Sequence, residues 1–296
     1  MINAISQFRD AIQSCGLEPP NVIEPGKIHR FPGIGKRQSN RAGWCMLFDD
    51  AKGGSYGDWS CGFSDNWLAS RNKELSHAER SAFSRRVQES KKQVEAVRSS
   101  KYIDAANSAS AIWRASPPAP DNHAYLLSKG IKNHNARISK GSLLLPVMDF
   151  SGKLTSLQFI GMDGRKLLLS GGRKQGCFIP VTNDVTDLAP VIICEGWATG
   201  CTLSENQPAS RVLAAIDAGN LEKVAVAARS KWLSAEIVIA GDDDRLTLGN
   251  PGVTKARAAA IAAGALLALP QWPIGSPETL TDFNDLAQWI KGGVHG

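Results

Sequence analysis

Acidic side chains follow two short apolar segments in the C-terminal third of the chain. Glu195 comes directly after residues 191–194, and three consecutive aspartates at 242–244 come directly after residues 237–241. Both apolar segments have the length and β-branched content of buried parallel strands. Functional groups collect at the C-terminal ends of such strands, so we expect both acidic elements to face one crevice.

Three successive carboxylates repel one another and are driven toward protonation unless a cation neutralises them. A site with oxygen ligands alone favours a hard ion, Mg²⁺ or Mn²⁺, over softer metals. Side chains alternate along an extended segment, which places Asp242 and Asp244 on one side and Asp243 on the other. We therefore predict Glu195, Asp242 and Asp244 as catalytic and metal-binding residues.

A third acidic element, Asp282 and Asp285, lies at the start of the last predicted helix. Taken alone, it is better explained as a helix cap, with Thr281 or Asp282 at the N-cap and Asp285 in the favourable first turn. Its place after a further strand, facing the same crevice, favours a metal role. Both interpretations stay open, and we include Asp282 and Asp285 among the predicted metal ligands.

The rest of the chain divides by composition. From residue 190 strand and helix patterns alternate, which is typical of an α/β fold with a parallel sheet and helices on both faces. Short alternating strands separated by Asp/Gly turns precede it, and consecutive prolines at 117 and 118 end a long polar helical stretch. The predicted organisation is an N-terminal β module over residues 1–70, a helical connector over 71–116, a basic β-rich subdomain over 117–188 and an α/β domain over 189–296.

Charge is distributed unevenly along the 296 residues, whose net charge is +6. From residue 189 onward there are 8 basic and 11 acidic residues, and residues 71–116 carry 10 basic against 5 acidic. A basic front half beside an acidic back half suits an enzyme that holds a polyanion such as nucleic acid, although solvated surface charge explains it equally well.

Targeting and redox signals are missing from the sequence. It contains no apolar run near the roughly 20 residues of a membrane helix and no signal peptide, so we expect a cytoplasmic protein. The six cysteines are scattered and are expected to be reduced thiols. A zinc site made of His29, Cys45 and Cys61 is disfavoured because zinc knuckles use close cysteine pairs.

Four segments together carry a family resemblance: residues 194–200 (CEGWATG), 240–244 (AGDDD), 252–256 (GVTKA) and 282–285 (DFND). They resemble the Toprim signature of DNA primases from phages, satellite phages and conjugative plasmids, over about residues 117–296. The resemblance implies a Toprim fold, which is a Rossmann-like parallel sheet flanked by helices. It also implies a nucleotidyltransferase, a template-directed RNA polymerase that makes short primers on single-stranded DNA from nucleoside triphosphates, using Mg²⁺ or Mn²⁺.

The resemblance also implies roles for single residues. Glu195 would act as a general base or organise the metal ions. The segment 164–176 is similar to the basic subdomain in which bacterial primases hold nucleotide and template phosphates. The residues implied as contacts there are Lys166, Arg165, Arg173 and Lys174.

The front module also resembles a segment that precedes phage primase domains, but it lacks a four-cysteine zinc ribbon. Its aromatic residues stand among cations and could stack on single-stranded bases, although a buried core is the preferred interpretation. These residues are Trp44, Phe48, Tyr56 and Trp59, among Lys27, Arg30, Lys36, Arg37 and Arg41.

Other functions remain as alternatives. A Toprim metal-dependent nuclease would use similar carboxylates, and a non-catalytic DNA-binding replication adaptor would keep the fold without the chemistry. A topoisomerase is disfavoured because all three tyrosines precede residue 189, and a dinucleotide-binding enzyme because no G-x-G-x-x-G follows the first strand. No Walker A sequence is present, so a replicative helicase would be a separate partner.

Overall fold

The computed structural model describes residues 2–69, 76–182 and 185–293. The chain divides into two compact units, residues 1–100 and 101–296, and the division falls inside a long helix. The four-part organisation expected from the sequence, with boundaries after residues 70, 116 and 188, stays a prediction.

The first unit contains a four-stranded antiparallel sheet in the order β1-β2-β3-β4. Its strands are β1 (Ile28–Phe31), β2 (Gly43–Leu47), β3 (Gly53–Asp58) and β4 (Phe63–Leu68). Three of the four aromatic side chains considered for base stacking, Trp44, Phe48 and Tyr56, are at most 5% exposed. The core interpretation, preferred for the tryptophans, is therefore confirmed for Trp44, whereas Trp59 is half-buried.

A helix that the sequence analysis did not predict, α1 (Ile2–Ser14), precedes this sheet. Its Phe8 and Ile12 recur at helical spacing and are both fully buried. The ring of Phe8 approaches β3 so closely that a Cβ on Gly54 would lie 2.7 Å from it. The helix thus completes the core of a module too small to bury its sheet otherwise.

The predicted helical connector is present as α2 (His77–Ala115). In the first unit, its Phe83 lies 6.0 Å from the ring of Phe48, measured between centroids. In the second unit, Ala109 is fully buried in a cluster with Leu144 and Leu157. The prolines at 117 and 118 follow the last turn, as their fixed φ and missing N–H require.

In the second unit, α2 is followed by α3 (Ala124–Lys129) and a four-stranded antiparallel sheet. The strands are β5 (Arg137–Ser139), β6 (Ser142–Met148), β7 (Leu154–Ile160) and β8 (Lys166–Leu168). The last three coincide with the short strands predicted ahead of residue 189.

A five-stranded sheet follows, in the order β13-β12-β10-β11-β9. Its members are β9 (Ile179–Pro180), β10 (Val191–Cys194), β11 (Arg211–Ala214), β12 (Ile237–Ala240) and β13 (Leu266–Ala268), with the helices α4 (Trp197–Asn206), α5 (Leu221–Lys231), α6 (Pro251–Ala263) and α7 (Phe283–Gly293). All pairings are parallel except that of β9, which runs antiparallel to β11.

Helices cover both faces of this sheet, as predicted. Ile192 and Cys194 of β10 pack in the core formed with α4, whereas Val191 and Ile193 pack in the core formed with α5 and α6. The first of these cores also contains Leu143, Leu145 and other residues of the antiparallel sheet β5–β8. The two sheets of the second unit therefore share one continuous core, which fixes the position of one sheet relative to the other.

No helix in the described parts of the chain combines the length and apolar character needed to cross a lipid bilayer. None of the six cysteines forms a disulfide, in agreement with the expectation of reduced thiols.

Candidate functional site

Acidic residues meet at one edge of the parallel sheet. Glu195 directly follows β10, and Asp242 follows β12 after one glycine. These strands are hydrogen-bonded neighbours in parallel register, with Cys194 opposite Ala240. The charges of Glu195, Asp244 and Asp282 all act on Asp242. We call these four residues, Glu195, Asp242, Asp244 and Asp282, the acidic rim.

Asp242 is the most perturbed carboxyl of the rim. Burial, followed by the charges of Glu195, Asp282 and Asp244, raises its pKa to about 8. Its Oδ1 is buried and has no hydrogen-bond partner among the described residues. The charged form of a buried carboxylate is unfavourable when one oxygen has no hydrogen-bond partner and other carboxylates lie nearby. Binding a proton or a cation removes this unfavourable energy.

Glu195 lies in a similar but better supported position. Burial raises its pKa, as do the charges of Asp217 and Asp244. A hydrogen bond from the backbone N–H of Ala218 and the charge of Lys166 act in the opposite direction. A carboxylate with a raised pKa just beyond the C-terminal end of a strand is suited to accept a proton.

The two remaining aspartates of the triplet differ, as the alternation predicted. Asp243 accepts hydrogen bonds on both oxygens, from Asn250 Nδ2 at 2.7 Å and from Trp272 Nε1 at 2.8 Å. Asp244 Oδ2 accepts from the backbone N–H of Gly252 at 2.9 Å, in the first turn of α6. Asp243 is therefore a structural anchor, whereas Asp244 remains at the rim with one oxygen bound to a helix N-terminus.

Gly252 of the third signature segment has a steric role at this place. A Cβ there would lie 2.5 Å from the carbonyl oxygen of Asp242 and 3.0 Å from Asp244 Oδ2. Only a glycine allows α6 to begin so close to the aspartate segment.

The third acidic element combines a helix cap with a rim position. Asp282 Oδ1 accepts from the backbone N–H of Asp285 at 2.8 Å, and its Oδ2 accepts from Thr199 Oγ1 of α4 at 3.1 Å. Asp285 instead accepts from the backbone N–H of Thr281 at 3.1 Å and lies 3.7 Å from Lys129 Nζ. The structure thus brings Asp282 to the rim, while the carboxylate of Asp285 contacts the cap and Lys129.

Of the four predicted phosphate contacts, two lie at the rim. Lys166 on β8 favours the charged forms of both Glu195 and Asp242, and its Nζ would lie 3.8 Å from a Cβ on Gly196. Lys174 forms an ion pair with Asp217, the carboxylate beside Glu195. These two cations provide positive charge next to an otherwise acidic edge.

The other two predicted contacts lie elsewhere. Arg173 Nη2 is 3.0 Å from Asp149 Oδ2, and its Nε lies 3.2 Å from Cys177 Sγ. Arg165 is exposed just before β8, and its backbone N–H donates to Asp163 Oδ1 at 3.0 Å. Arg173 thereby joins its own loop to the turn between β6 and β7.

Two residues of the turn after β11 were not predicted, Asp217, whose charge acts on Glu195, and Asn220. Asp217 follows Ile216, whose φ of +80° is unfavourable for a β-branched residue and marks a strained turn. Asp217 could have been predicted as a site residue from its position beyond the end of β11, because β11 ends at the same edge of the sheet as β10.

Asn220 secures this turn from a buried position. It is 1% exposed, and its Nδ2 lies within 3.1 Å of the carbonyl oxygens of Lys174, Cys177 and Ala215. Its Oδ1 accepts from the backbone N–H of Gly176 at 2.9 Å. The side chain thus joins the segment that carries Lys174 to the turn that carries Asp217.

Within the described residues, no three His, Cys, Asp or Glu side chains are grouped closely enough to hold a metal ion as they stand. The rim nevertheless fits a divalent ion in its donors, because it supplies only carboxylate oxygens and one of them, Asp242 Oδ1, is buried without a partner. Mg²⁺ commonly takes one or two protein carboxylates and completes its shell with water and substrate phosphates. An open rim of this kind fits such binding, and the His29, Cys45, Cys61 zinc site stays disfavoured.

Comparison with known proteins gives three findings. Residues 190–290 match the Toprim domain family. Two curated proteins from Escherichia coli, both named DNA primase TraC, are 32% identical to the chain over 285 and 283 residues, which is 89% of its length. The chain spans 26% and 19% of the length of these two relatives. The crystal structure of the primase fragment of the bacteriophage T7 primase-helicase protein aligns with a TM-score of 0.43 and 12% identity, over 91% of this chain and 97% of that chain.

Proposed function

We propose that this chain, whose residues 190–290 form a Toprim domain, is a DNA primase unit that joins nucleoside triphosphates into short primers on a single-stranded DNA template. The observation that carries the proposal is the convergence of Glu195, Asp242 and Asp282 from separate segments onto one sheet edge, with Lys166 beside them. The 32% identity to two proteins named DNA primase TraC supports primer synthesis over nuclease chemistry. The biological setting would be phage or plasmid replication.

The residues that would hold Mg²⁺ or Mn²⁺ are those of the acidic rim. Asp242 and Asp244 are the proposed ligands, with Glu195 and Asp282 completing the set. Asp285 contributes through the cap, because its backbone N–H holds Asp282 Oδ1. Bound divalent ions would supply charge neutralisation for a triphosphate and activation of an attacking hydroxyl.

The chain's own side chains have separate proposed tasks. Glu195, whose raised pKa favours proton uptake, accepts the proton of the primer 3′ hydroxyl or helps to organise the metal ions that Asp242 and Asp244 would hold. Lys166 and Lys174 bind phosphates of the incoming nucleotide, because their positive charges lie beside the rim. Arg165 and Arg173 contact the template backbone beside the antiparallel sheet β5–β8. A replicative helicase would be a separate partner.

The test is an assay of the full chain with single-stranded template, labelled nucleoside triphosphates and Mg²⁺. We expect labelled oligonucleotides that disappear when the metal is removed with a chelator. Shortened template in place of labelled product would instead identify a nuclease. Template binding with neither product would identify a non-catalytic adaptor, and either of these outcomes rejects the primase proposal.

A further inference from the structure

One end of the sheet of the first unit is strongly basic. The β1–β2 connection, residues 32–42, contains Lys36, Arg37 and Arg41 and no acidic residue; we call it the basic loop. The β2–β3 connection at the other end of the sheet contains Asp49, Asp50 and Lys52, and Asp50 forms an ion pair with Arg86. A loop with three cations and no acidic residue attracts a polyanion to its end of the module.

The basic loop is held in a defined shape by buried polar groups. Asp58, 1% exposed at the end of β3, accepts from the backbone N–H of Ile34 at 2.8 Å and from that of Ser60 at 2.7 Å. Asn40 Oδ1 accepts from the backbone N–H of Gly33 at 3.1 Å and from that of Ala42 at 2.8 Å. The carboxylate of Asp58 is therefore buried, and both of its oxygens accept from backbone N–H groups, one of which belongs to the loop.

The cations of the loop are presented to solvent. Lys36 and Arg37 are exposed, and neither side chain has a hydrogen-bond or ion-pair partner among the described residues. Arg41 Nη1 donates to the carbonyl oxygens of Gln38 at 2.7 Å and Asn40 at 2.9 Å, which stabilises the loop while its charge remains. Two adjacent exposed cations on a hydrogen-bonded loop are suited to contact successive phosphates.

A further cation lies next to the loop. The guanidinium of Arg30 lies 3.6 Å from the ring centroid of Trp59, and the backbone N–H of Trp59 donates to the carbonyl of Ala42 at 3.0 Å. Trp44, Phe48 and Tyr56 are buried, so these rings cannot stack on bases. The half-buried ring of Trp59 is engaged by cations instead, with Arg30 over it and the guanidinium of Arg98 5.7 Å from its centroid. Recognition at this end of the sheet would therefore depend on charge and be independent of sequence.

We propose that the basic loop binds the phosphate backbone of single-stranded DNA through Lys36 and Arg37. The choice of single-stranded DNA rests on the proposed function, whereas the recognition of phosphate follows from the loop itself. The site consists of residues of the first unit, whereas the acidic rim consists of residues of the second.

The test compares two double variants of the full chain. Lys36→Ala with Arg37→Ala removes two neighbouring cations from the loop, and Lys91→Ala with Lys92→Ala removes two neighbouring exposed cations from α2 in the same unit. Binding of a fluorescein-labelled single strand is measured by anisotropy in a chelator over a range of salt. For the loop variant we expect about tenfold weaker binding near 100 mM salt and a log–log salt slope smaller by about 1.4, since each single-strand phosphate contact contributes about 0.7.

The α2 variant is expected to bind within about twofold of the wild type, and both variants should retain its melting temperature because all four side chains are exposed. Equal losses in the two variants would show a net-charge effect and overturn the proposal, as would wild-type affinity in the loop variant. A loop variant that loses affinity for duplex DNA more than for the single strand would also overturn it. Because no nucleotide is joined in the chelator, a failure of the primase assay is distinguishable from a failure here.

Discussion

The acidic rim and the basic loop are both built at strand ends, but in opposite ways. The loop is one continuous stretch whose shape comes from nearby hydrogen bonds, whereas the rim collects carboxylates from residues 195, 242, 244 and 282. The rim's groups are partly buried and repel one another, while Lys36 and Arg37 are exposed. Charges brought together by distant segments can be desolvated and perturbed, whereas charges on an exposed local loop remain hydrated.

The strongest test of this contrast is the loss of one rim carboxylate. Asp242→Asn removes the buried carboxylate that the proposed metal ions need, so we expect primer synthesis to fall more than about a thousandfold, or about 4 kcal/mol of barrier. The matched control is Asp187→Asn, because Asp187 is fully exposed and lies 3.8 Å from Arg211. Primer assays that find Asp242→Asn within tenfold of the control would remove the rim from the chemistry.

A second test uses the pH dependence of stability. The pKa of Asp242 is about 8 in the folded protein and near 3.8 when unfolded, so ionising it costs folding free energy that grows from about pH 4 to about pH 8. In a chelator, Asp242→Asn should therefore melt above the wild type by a margin that increases by about 4 °C or more between pH 5 and pH 9. Melting curves followed by circular dichroism measure this. A flat margin for Asp242→Asn would mean that the carboxyl is not desolvated.

The smallest expected effect concerns the cation next to the rim. Lys174 is paired with Asp217 beside Glu195, so Lys174→Ala should raise the KM for nucleoside triphosphate about tenfold and leave kcat within about threefold. The control is Lys153→Ala, which removes an exposed lysine from the turn between β6 and β7. Steady-state primer synthesis at varied nucleotide decides the matter. An unchanged KM would place the nucleotide phosphates away from Lys174.

The sequence supported the fold of the second unit well. Each strand from β6 to β8 and from β10 to β13 had a readable apolar run, and the strand–helix alternation gave the parallel sheet. The helix α1 was missed although Phe8 and Ile12 have helical spacing, because turn signals dominated the surrounding seventy residues. The antiparallel edge strand β9, only Ile179–Pro180, is too short to have a periodicity at all.

The candidate site was predictable where it depends on topology. That Glu195 and Asp242 end neighbouring parallel strands follows from the sequence pattern and the rule that such ends share an edge. The alternation of Asp242, Asp243 and Asp244 was likewise correct, with Asp243 bound to Asn250 and Trp272. The same rule, applied to β11, would have identified Asp217.

By itself, then, the sequence determined which strands exist and which residues stand at their C-terminal ends, because local periodicity and strand direction are encoded in short segments. Only the tertiary structure decided which of those side chains meet. The contact of Asp282 with Thr199, the pairing of Asp285 with Lys129 and the fourfold bonding of Asn220 join residues far apart in the chain. The physical reason is that desolvation and charge repulsion depend on the packing of distant segments, and no local pattern specifies that packing.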